Sequence, residues 1–144
     1  MSDEEQKSPR RIPVSGKRMR MSEDGTNGVL LGRKCQECGA TFFGAPRFCV
    51  RCTSGDLRDV ELSTEGTLYT YTIPHLPAPG WQGPVPYIIG SVKLPEGPSV
   101  TSEIVDCRQE DVKIGMPLEL TLRVGGKDKE GNEIVVYKWK PKAG

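Results

Sequence analysis

The sequence has little of what several common classes of protein need. No apolar run approaches the roughly eighteen residues of a membrane-spanning helix, and the opening MSDEEQKSPRR lacks the apolar stretch of a secretory signal. Twenty basic and nineteen acidic residues leave a formal net charge of +1, which gives no strong field towards nucleic acid or anionic lipid. We therefore expect a cytoplasmic protein with neither a membrane nor a nucleic-acid partner.

Residues suited to catalysis are also scarce. His75 is the single histidine, and four of the five cysteines fall into two Cys-x-x-Cys pairs, which leaves Cys107. The carboxylate of the adjacent Asp106 is expected to raise the pKa of the Cys107 thiol and so to weaken it as a nucleophile. Motifs of the Gly-x-Ser-x-Gly, phosphate-loop and His-Glu-x-x-His types are absent. We expect no catalytic residue in this chain.

The paired cysteines carry the strongest signal in the sequence. Cys35 and Cys38 form one pair, Cys49 and Cys52 form the other, and ten residues separate the pairs. Each pair can wrap a tight turn that points both sulfurs at one ion, and Gly39 suits a turn that needs positive φ. Four thiolates make a closed tetrahedral site, which predicts structural zinc. Iron in a rubredoxin-like centre and a disulfide or free-thiol state are the alternatives.

The rest of the chain predicts strands and turns, since its 17 glycines and 12 prolines interrupt helices. Residues 41–43 and 47–48 are apolar enough to form the strands of a metal-binding hairpin. Five further strands are predicted over 67–73, 87–94, 99–106, 116–124 and 133–140. Five short strands suit a small barrel, for which an oligonucleotide/oligosaccharide-binding (OB) fold fits best. A sandwich fragment or an SH3-like barrel would give similar spacing.

Composition divides the chain into three parts. Residues 1–27 are highly charged and are predicted to form a flexible arm. Residues 28–60 hold the cysteine pairs, and residues 61–144 hold the predicted barrel. Within the barrel, five prolines between positions 74 and 86 predict a long loop that carries Trp81, a large aromatic of the kind that anchors protein interfaces.

The order of these features resembles the zinc-ribbon/OB-fold family, formerly labelled DUF35. The resemblance covers roughly residues 30 to 142. It is carried by RKCQECG (33–39), PRFC (46–49), GTLYTYT (66–72), PYIIG (86–90), DVKIGMPL (111–118) and VYKWKP (136–141). It implies a mainly β protein with an N-terminal rubredoxin-like zinc ribbon and a five-stranded OB barrel. Family members usually begin with a short aromatic-containing helix, whereas residues 1–27 contain no aromatic residue.

The resemblance also implies a function. Members of this family are small subunits of thiolase-superfamily acyl-CoA enzymes, such as that of benzoylsuccinyl-CoA thiolase. A non-catalytic zinc subunit that stabilises a thiolase-type catalytic partner and helps to bind its CoA thioester is therefore expected. Partner contacts are predicted at Trp81, Pro84, Pro86 and Tyr87, and contacts to the CoA phosphates at Arg123 and Lys127. The alternatives are a single-stranded nucleic-acid binder with Tyr69 and Tyr71 on one strand face, and an iron electron carrier.

Overall fold

The fold is built almost wholly from β-strands. The computed structural model describes residues 10–22, 25–79, 81 and 83–142. Over these residues the chain forms ten strands and a short 3-10 turn at Gln109–Asp111. The strands are β1 Arg11–Pro13, β2 Met19–Met21, β3 Gly28–Cys35, β4 Thr41–Phe43, β5 Leu57–Glu61, β6 Glu65–Thr72, β7 Ile88–Lys93, β8 Ser99–Ile104, β9 Pro117–Lys127 and β10 Glu133–Pro141.

Five of these strands close a barrel. Hydrogen-bonded neighbours run in the order β9-β6-β7-β8-β10, and β10 pairs back to β9. All pairs are antiparallel except β10 with β8, which are parallel and share the single ladder pair Trp139 and Ile104. Closure removes the free edges that an open five-stranded sheet would expose. The predicted mainly β fold with a five-stranded barrel is confirmed.

The barrel core follows from the alternation of apolar residues along its strands. Leu68, Val92, Val100, Leu118 and Trp139 are all buried. They form one cluster with further buried residues from the rest of the chain, namely Met19, Leu30, Leu62, Ile88, Leu94, Ile104, Val112 and Val135. Three of these, Met19, Leu30 and Leu62, lie before the barrel strands, so the core extends beyond the barrel.

The ribbon is a second sheet centred on β3. Strand β3 pairs with β2 and β4, and also with β5 along Leu31–Cys35. The prediction for residues 41–43 is correct, but residues 47–48 form no strand, and the partner of β4 is β3. The reason is that β3 runs for eight residues and offers the backbone groups with which both β4 and β5 pair.

The ribbon packs against the barrel through a few apolar contacts. The ring of Phe43 in β4 meets the ring of Tyr137 in β10 edge to face, with centroids 5.7 Å apart. A Cβ atom at Gly28 would lie 2.8 Å from Leu122 Cδ1, so the first residue of β3 fits closely against β9. Phe43, Val60 and Met21 all pack on the shared core. The two sheets therefore bury surface against each other.

Two short strands before the ribbon attach to both sheets. Strand β1 pairs in parallel with β10, and β2 pairs with β3. Between them, the N–H of Val14 donates to the Val135 carbonyl at 2.8 Å. The sequence predicts a flexible arm over 1–27 and does not indicate these strands. A segment this polar lacks the apolar alternation from which a strand is predicted. The division of the chain at 27/28 and 60/61 stays a prediction.

Candidate metal centre and neighbouring surfaces

The four paired cysteines meet at one point of the ribbon. Their sulfur atoms all lie within 4.8 Å of one another, with 3.6 Å between Cys35 and Cys52 and 3.5 Å between Cys38 and Cys49. A disulfide would need about 2.05 Å, and none of the four cysteines forms one. Zinc–sulfur bonds of about 2.3 Å in a tetrahedron place sulfurs about 3.8 Å apart. The spacing therefore suits a bound ion.

Local backbone turns bring the sulfurs together. Cys35 ends β3, and the chain then reverses through Gly39, which has a φ of +81°, as the sequence predicts. The second pair is wrapped by the N–H of Cys49 donating to the Ser54 carbonyl and by Thr53 N–H donating to Cys49 O, both at 2.8 Å. Thr53 has a φ of +63°, unusual for a residue with a branched Cβ.

The thiols differ in how readily they ionise. The backbone N–H of Cys38, 3.5 Å from Cys35 Sγ, is the main reason that the pKa of Cys35 falls to about 6. Burial raises the pKa of Cys49, but N–H groups of Cys52 and Arg51 outweigh it and the pKa is lowered. The Ser54 N–H lowers the pKa of Cys52, whereas burial and the three neighbouring thiols raise it to about 12. Four crowded sulfurs cannot all ionise without a cation between them.

These features define a class: a chain in which a four-cysteine ribbon, able to hold a metal ion, precedes a five-stranded OB-type barrel. A family model described as "ChsH2, C-terminal OB-fold domain" matches residues 59–123. A DUF35 domain-containing scaffold protein of Methanocaldococcus jannaschii is 35% identical over 114 residues, which cover 78% of this chain and 81% of that protein. The chain belongs to the DUF35 family.

Two other similarities are informative. The benzoylsuccinyl-CoA thiolase subunit BbsA of Geobacter metallireducens is 30% identical over 126 residues, which cover 85% of this chain and 81% of that subunit. Among solved structures, a chain of the Ltp2-ChsH2(DUF35) aldolase superposes with a TM-score of 0.62 at 26% identity, over 78% of this chain and 84% of that one. Both similarities extend over most of this chain.

The predicted partner residues form a small cluster on the barrel. The ring of Trp81 stacks on Tyr87 with centroids 3.9 Å apart, and Trp81 Nε1–H donates to the Pro84 carbonyl at 3.2 Å. Lys138 Nζ lies 5.9 Å from the Trp81 ring centroid and bonds Glu103 across the junction of β8 and β10. Trp81 is thus half-buried over the barrel wall. Tyr87 is buried, whereas Pro84 and Pro86 are exposed.

The residues predicted to meet CoA lie apart. Arg123 Nη2 donates to Asp106 Oδ2 at 2.7 Å, and Lys127 is exposed near the end of β9. A bulge at Gly125 shifts the register, so Arg123 is opposite Val136 while Lys127 is opposite Glu133. Residues directly opposite each other point to the same face of the sheet, and the face alternates from one residue to the next along β10. Val136 and Glu133 are three residues apart and point to opposite faces, so the bulge puts Arg123 and Lys127 on opposite faces as well.

The remaining candidate residues have local explanations. Burial, followed by the charge of Asp111, raises the pKa of Cys107. The raised pKa agrees with the sequence-based expectation, but its causes differ from the expected one, Asp106. The Cys107 thiol donates to the Arg108 carbonyl at 3.4 Å. His75 is exposed in the proline-rich loop.

The tyrosines of β6 do not form a regular stacking face. A bulge between Leu68 and Thr70 leaves Tyr69 as the extra residue, and Tyr71 falls opposite Gly90, on the same face as Leu68. The alternation that would put Tyr69 and Tyr71 side by side is broken, which removes the sequence feature behind the nucleic-acid alternative.

Over the described ranges, no helix is long and apolar enough to cross a bilayer.

Sequence reasoning missed two exposed apolar residues beside the metal centre. Phe48 and Val50 flank Cys49 and point into solvent. The position of Cys49 in a tight turn could have indicated their exposure. When the cysteine side chain of such a turn points inward, the side chains of its two neighbours point outward.

Proposed function

We propose that this chain is a non-catalytic, zinc-binding subunit of a heteromeric thiolase-type acyl-CoA enzyme. The observation that carries the proposal is the similarity to BbsA, named as a subunit of benzoylsuccinyl-CoA thiolase, over 85% of this chain. The DUF35 scaffold protein and the Ltp2-ChsH2 aldolase support the same role, since one is named a scaffold and the other pairs a DUF35 chain with an aldolase. The chain stabilises its catalytic partner in the cytoplasm.

The assignment of catalysis to the partner rests on the chemistry of the side chains. Acyl transfer by a thiolase needs a thiolate nucleophile and a base within hydrogen-bond reach. The raised pKa of Cys107 disfavours the thiolate, and its thiol bonds a backbone carbonyl. No hydrogen bond between Cys107 and His75 occurs in the described residues.

The metal has a structural role in this proposal. Four cysteine sulfurs leave no open position for substrate, and a ribbon of about thirty residues has too little core of its own to fold without an ion. Zinc is proposed over iron. Elemental analysis of the purified protein is expected to give one zinc per chain in a colourless solution, and a red protein containing iron would contradict this.

The proline-rich loop is proposed to contact the partner. Leu76 at its start is 81% exposed, and Pro84, Val85 and Pro86 are also exposed. Trp81 holds the loop against the barrel by stacking on Tyr87. CoA contact by Arg123 and Lys127 stays a prediction; an anion at Arg123 would compete with Asp106.

Trp81→Ala tests the loop. Loss of the stack is expected to loosen the loop and weaken binding of the catalytic subunit about tenfold, the effect of losing an interface anchor or its support, while zinc content stays at one per chain. Tyr69→Ala, an exposed aromatic outside the loop, is the control. Equal affinity of Trp81→Ala and wild type in a titration would remove the loop from the interface.

The proposed function itself is tested by isolating the tagged chain from its native host and identifying its companions by mass spectrometry. A thiolase-superfamily subunit in stable proportion, with acyl-CoA activity only in the reconstituted pair, is expected. Turnover of acyl-CoA by this chain alone would overturn the non-catalytic role.

A further inference from the structure

The second cysteine turn exposes two large apolar side chains. Phe48 is 58% exposed and Val50 is 75% exposed, although they flank Cys49, which is fully buried. Elsewhere in the ribbon, Leu30 is buried, and Phe43 and Val60 pack on the shared core. We call the segment Arg47–Arg51 the knuckle tip. The fold of the chain leaves more than half of each of these apolar side chains uncovered.

The backbone of the knuckle tip is fixed in place. Cys49 Sγ lies within the four-sulfur cluster and accepts the N–H of Arg51 at 3.3 Å. Cys49 N–H and Thr53 N–H close the turn through 2.8 Å hydrogen bonds. A segment held this way loses little conformational entropy when it binds a partner. Less of the binding free energy gained from its side-chain contacts is therefore spent on ordering the segment.

The charges of the knuckle tip are uncompensated. Arg47 and Arg51 border the apolar pair and are exposed, and neither has an ion-pair partner among the described residues. Two arginines of the ribbon sheet, by contrast, are ion-paired: Arg33 with Asp59, and Arg20 with Glu61. An occupant of the tip therefore gains by presenting carboxylates around an apolar pocket.

We propose that the knuckle tip docks into an apolar pocket ringed by carboxylates on the catalytic subunit, with Phe48 and Val50 as anchors and Arg47 and Arg51 on the rim. This inference rests on the proposed function, because it takes the thiolase-type subunit as the occupant. It gives the metal centre a second role: the ion fixes the backbone that aims the two anchors.

The test compares matched double variants against the purified catalytic subunit, once that subunit has been identified by the host isolation. Phe48→Ser with Val50→Ser removes the anchors. Tyr69→Ser with Ile114→Ser is the control, since it removes one aromatic and one branched aliphatic residue of similar exposure, 64% and 67%, from the barrel. Zinc content and the melting temperature verify the fold of each variant.

The tip variant is expected to bind about tenfold more weakly or worse, as loss of interface anchors does, and the control within about twofold of wild type. Arg47→Glu with Arg51→Glu is expected to weaken binding and to reduce the dependence of the affinity on salt. Lys113→Glu with Lys129→Glu is the control for this charge reversal and is expected to do neither.

If the Phe48/Val50 and the Arg47/Arg51 double variants both bind with wild-type affinity, the inference is overturned and the proposed function stays intact. Equal weakening by tip and control variants would overturn it as well, since the effect would not belong to the tip. Self-association that only the tip variant abolishes would assign the surface to a second copy of this chain instead. If the host isolation gives no acyl-CoA enzyme, the proposed function fails, and the inference fails with it.

Discussion

At the scale of single residues, the metal centre depends on which sulfur occupies which position. The first cysteine of each pair, Cys35 and Cys49, is buried, and the second, Cys38 and Cys52, is exposed. The buried sulfurs accept backbone N–H groups, which stabilise their thiolate forms, the forms that bind a metal ion. The hydrogen bonds of the turns therefore favour the binding of a metal ion by the cluster.

Cys35→Ser is expected to abolish stoichiometric metal binding, because zinc is held by four thiolates with an apparent free energy of about 10–16 kcal/mol in small modules and a hydroxyl replaces one of them poorly. Elemental analysis after gel filtration measures the loss. Cys107→Ser is the matched control, since Cys107 lies outside the cluster, and it should keep one zinc per chain. Full zinc in Cys35→Ser would contradict the four-sulfur site.

At the scale of structural elements, the β9–β10 turn is organised by one carboxylate. Asp128 Oδ1 accepts the N–H groups of Glu130 at 2.9 Å and Asn132 at 2.8 Å, and Oδ2 accepts Asn132 Nδ2 at 3.0 Å. The side chain of Asn132 is the main reason that the pKa of Asp128 is lowered. Asn132 Oδ1 in turn accepts the N–H of Arg10, so the turn also holds the residue directly before β1.

Asp128→Asn is expected to lower the melting temperature by a few degrees near pH 7. A carboxyl whose pKa is depressed by folding stabilises the fold above its unfolded pKa, and loses that effect as the pH falls through the folded value. The difference between Asp128→Asn and wild type should therefore shrink as the pH falls below the ordinary Asp pKa of about 3.9, and vanish once Asp128 is protonated in the folded state as well. Glu130→Gln, which removes the same charge two residues further along the turn, is the control. A difference that does not shrink at any pH between neutrality and the acid end of the titration would contradict the linkage.

Strand β2 contributes one fully buried side chain to the core. Met19 is 1% exposed and lies in the cluster that also contains Leu30 and Leu62. Met19→Ala is expected to reduce the free energy of unfolding by about 2–5 kcal/mol, the usual cost of such a truncation in a core. Denaturant titration measures this, with the half-buried Met21→Ala as a milder comparison. A change below about 0.5 kcal/mol, typical of surface positions, would show that β2 is not part of the core.

At the scale of the whole molecule, the ribbon and the barrel share buried surface. The main cluster joins ribbon and barrel residues, and the edge-to-face contact of Phe43 with Tyr137 extends it. An ion that holds the ribbon therefore also stabilises the barrel, because loss of the ribbon exposes apolar residues at the barrel end to water.

Removal of the metal by a chelator is expected to lower the melting temperature of the barrel itself. Trp139 is fully buried in the barrel and reports its unfolding by fluorescence, and a Trp81→Phe background removes the only other tryptophan. Zinc added back should restore the transition. Equal transitions with and without metal would mean that the two parts unfold independently.

Much of this architecture is predictable from local patterns. The five barrel strands were located within a few residues because β-branched and aromatic runs end at glycine and proline, as at Thr67–Thr72 and Ile88–Lys93. The four cysteines were identified because metal chemistry requires that spacing. The two bulges, at Tyr69 and Gly125, were not predicted, since a bulge depends on the register of a partner strand that is remote in sequence.

By itself, the sequence determined the candidate metal ligands and the order of the barrel strands, because thiol spacing and apolar alternation act over a few neighbouring residues. Only the tertiary structure decided that Arg11–Pro13 and Met19–Met21 become strands, that Trp81 lies against Tyr87, and that Phe48 and Val50 remain uncovered. Each of these depends on what the rest of the chain brings close, and burial is a property of that arrangement and not of any short segment.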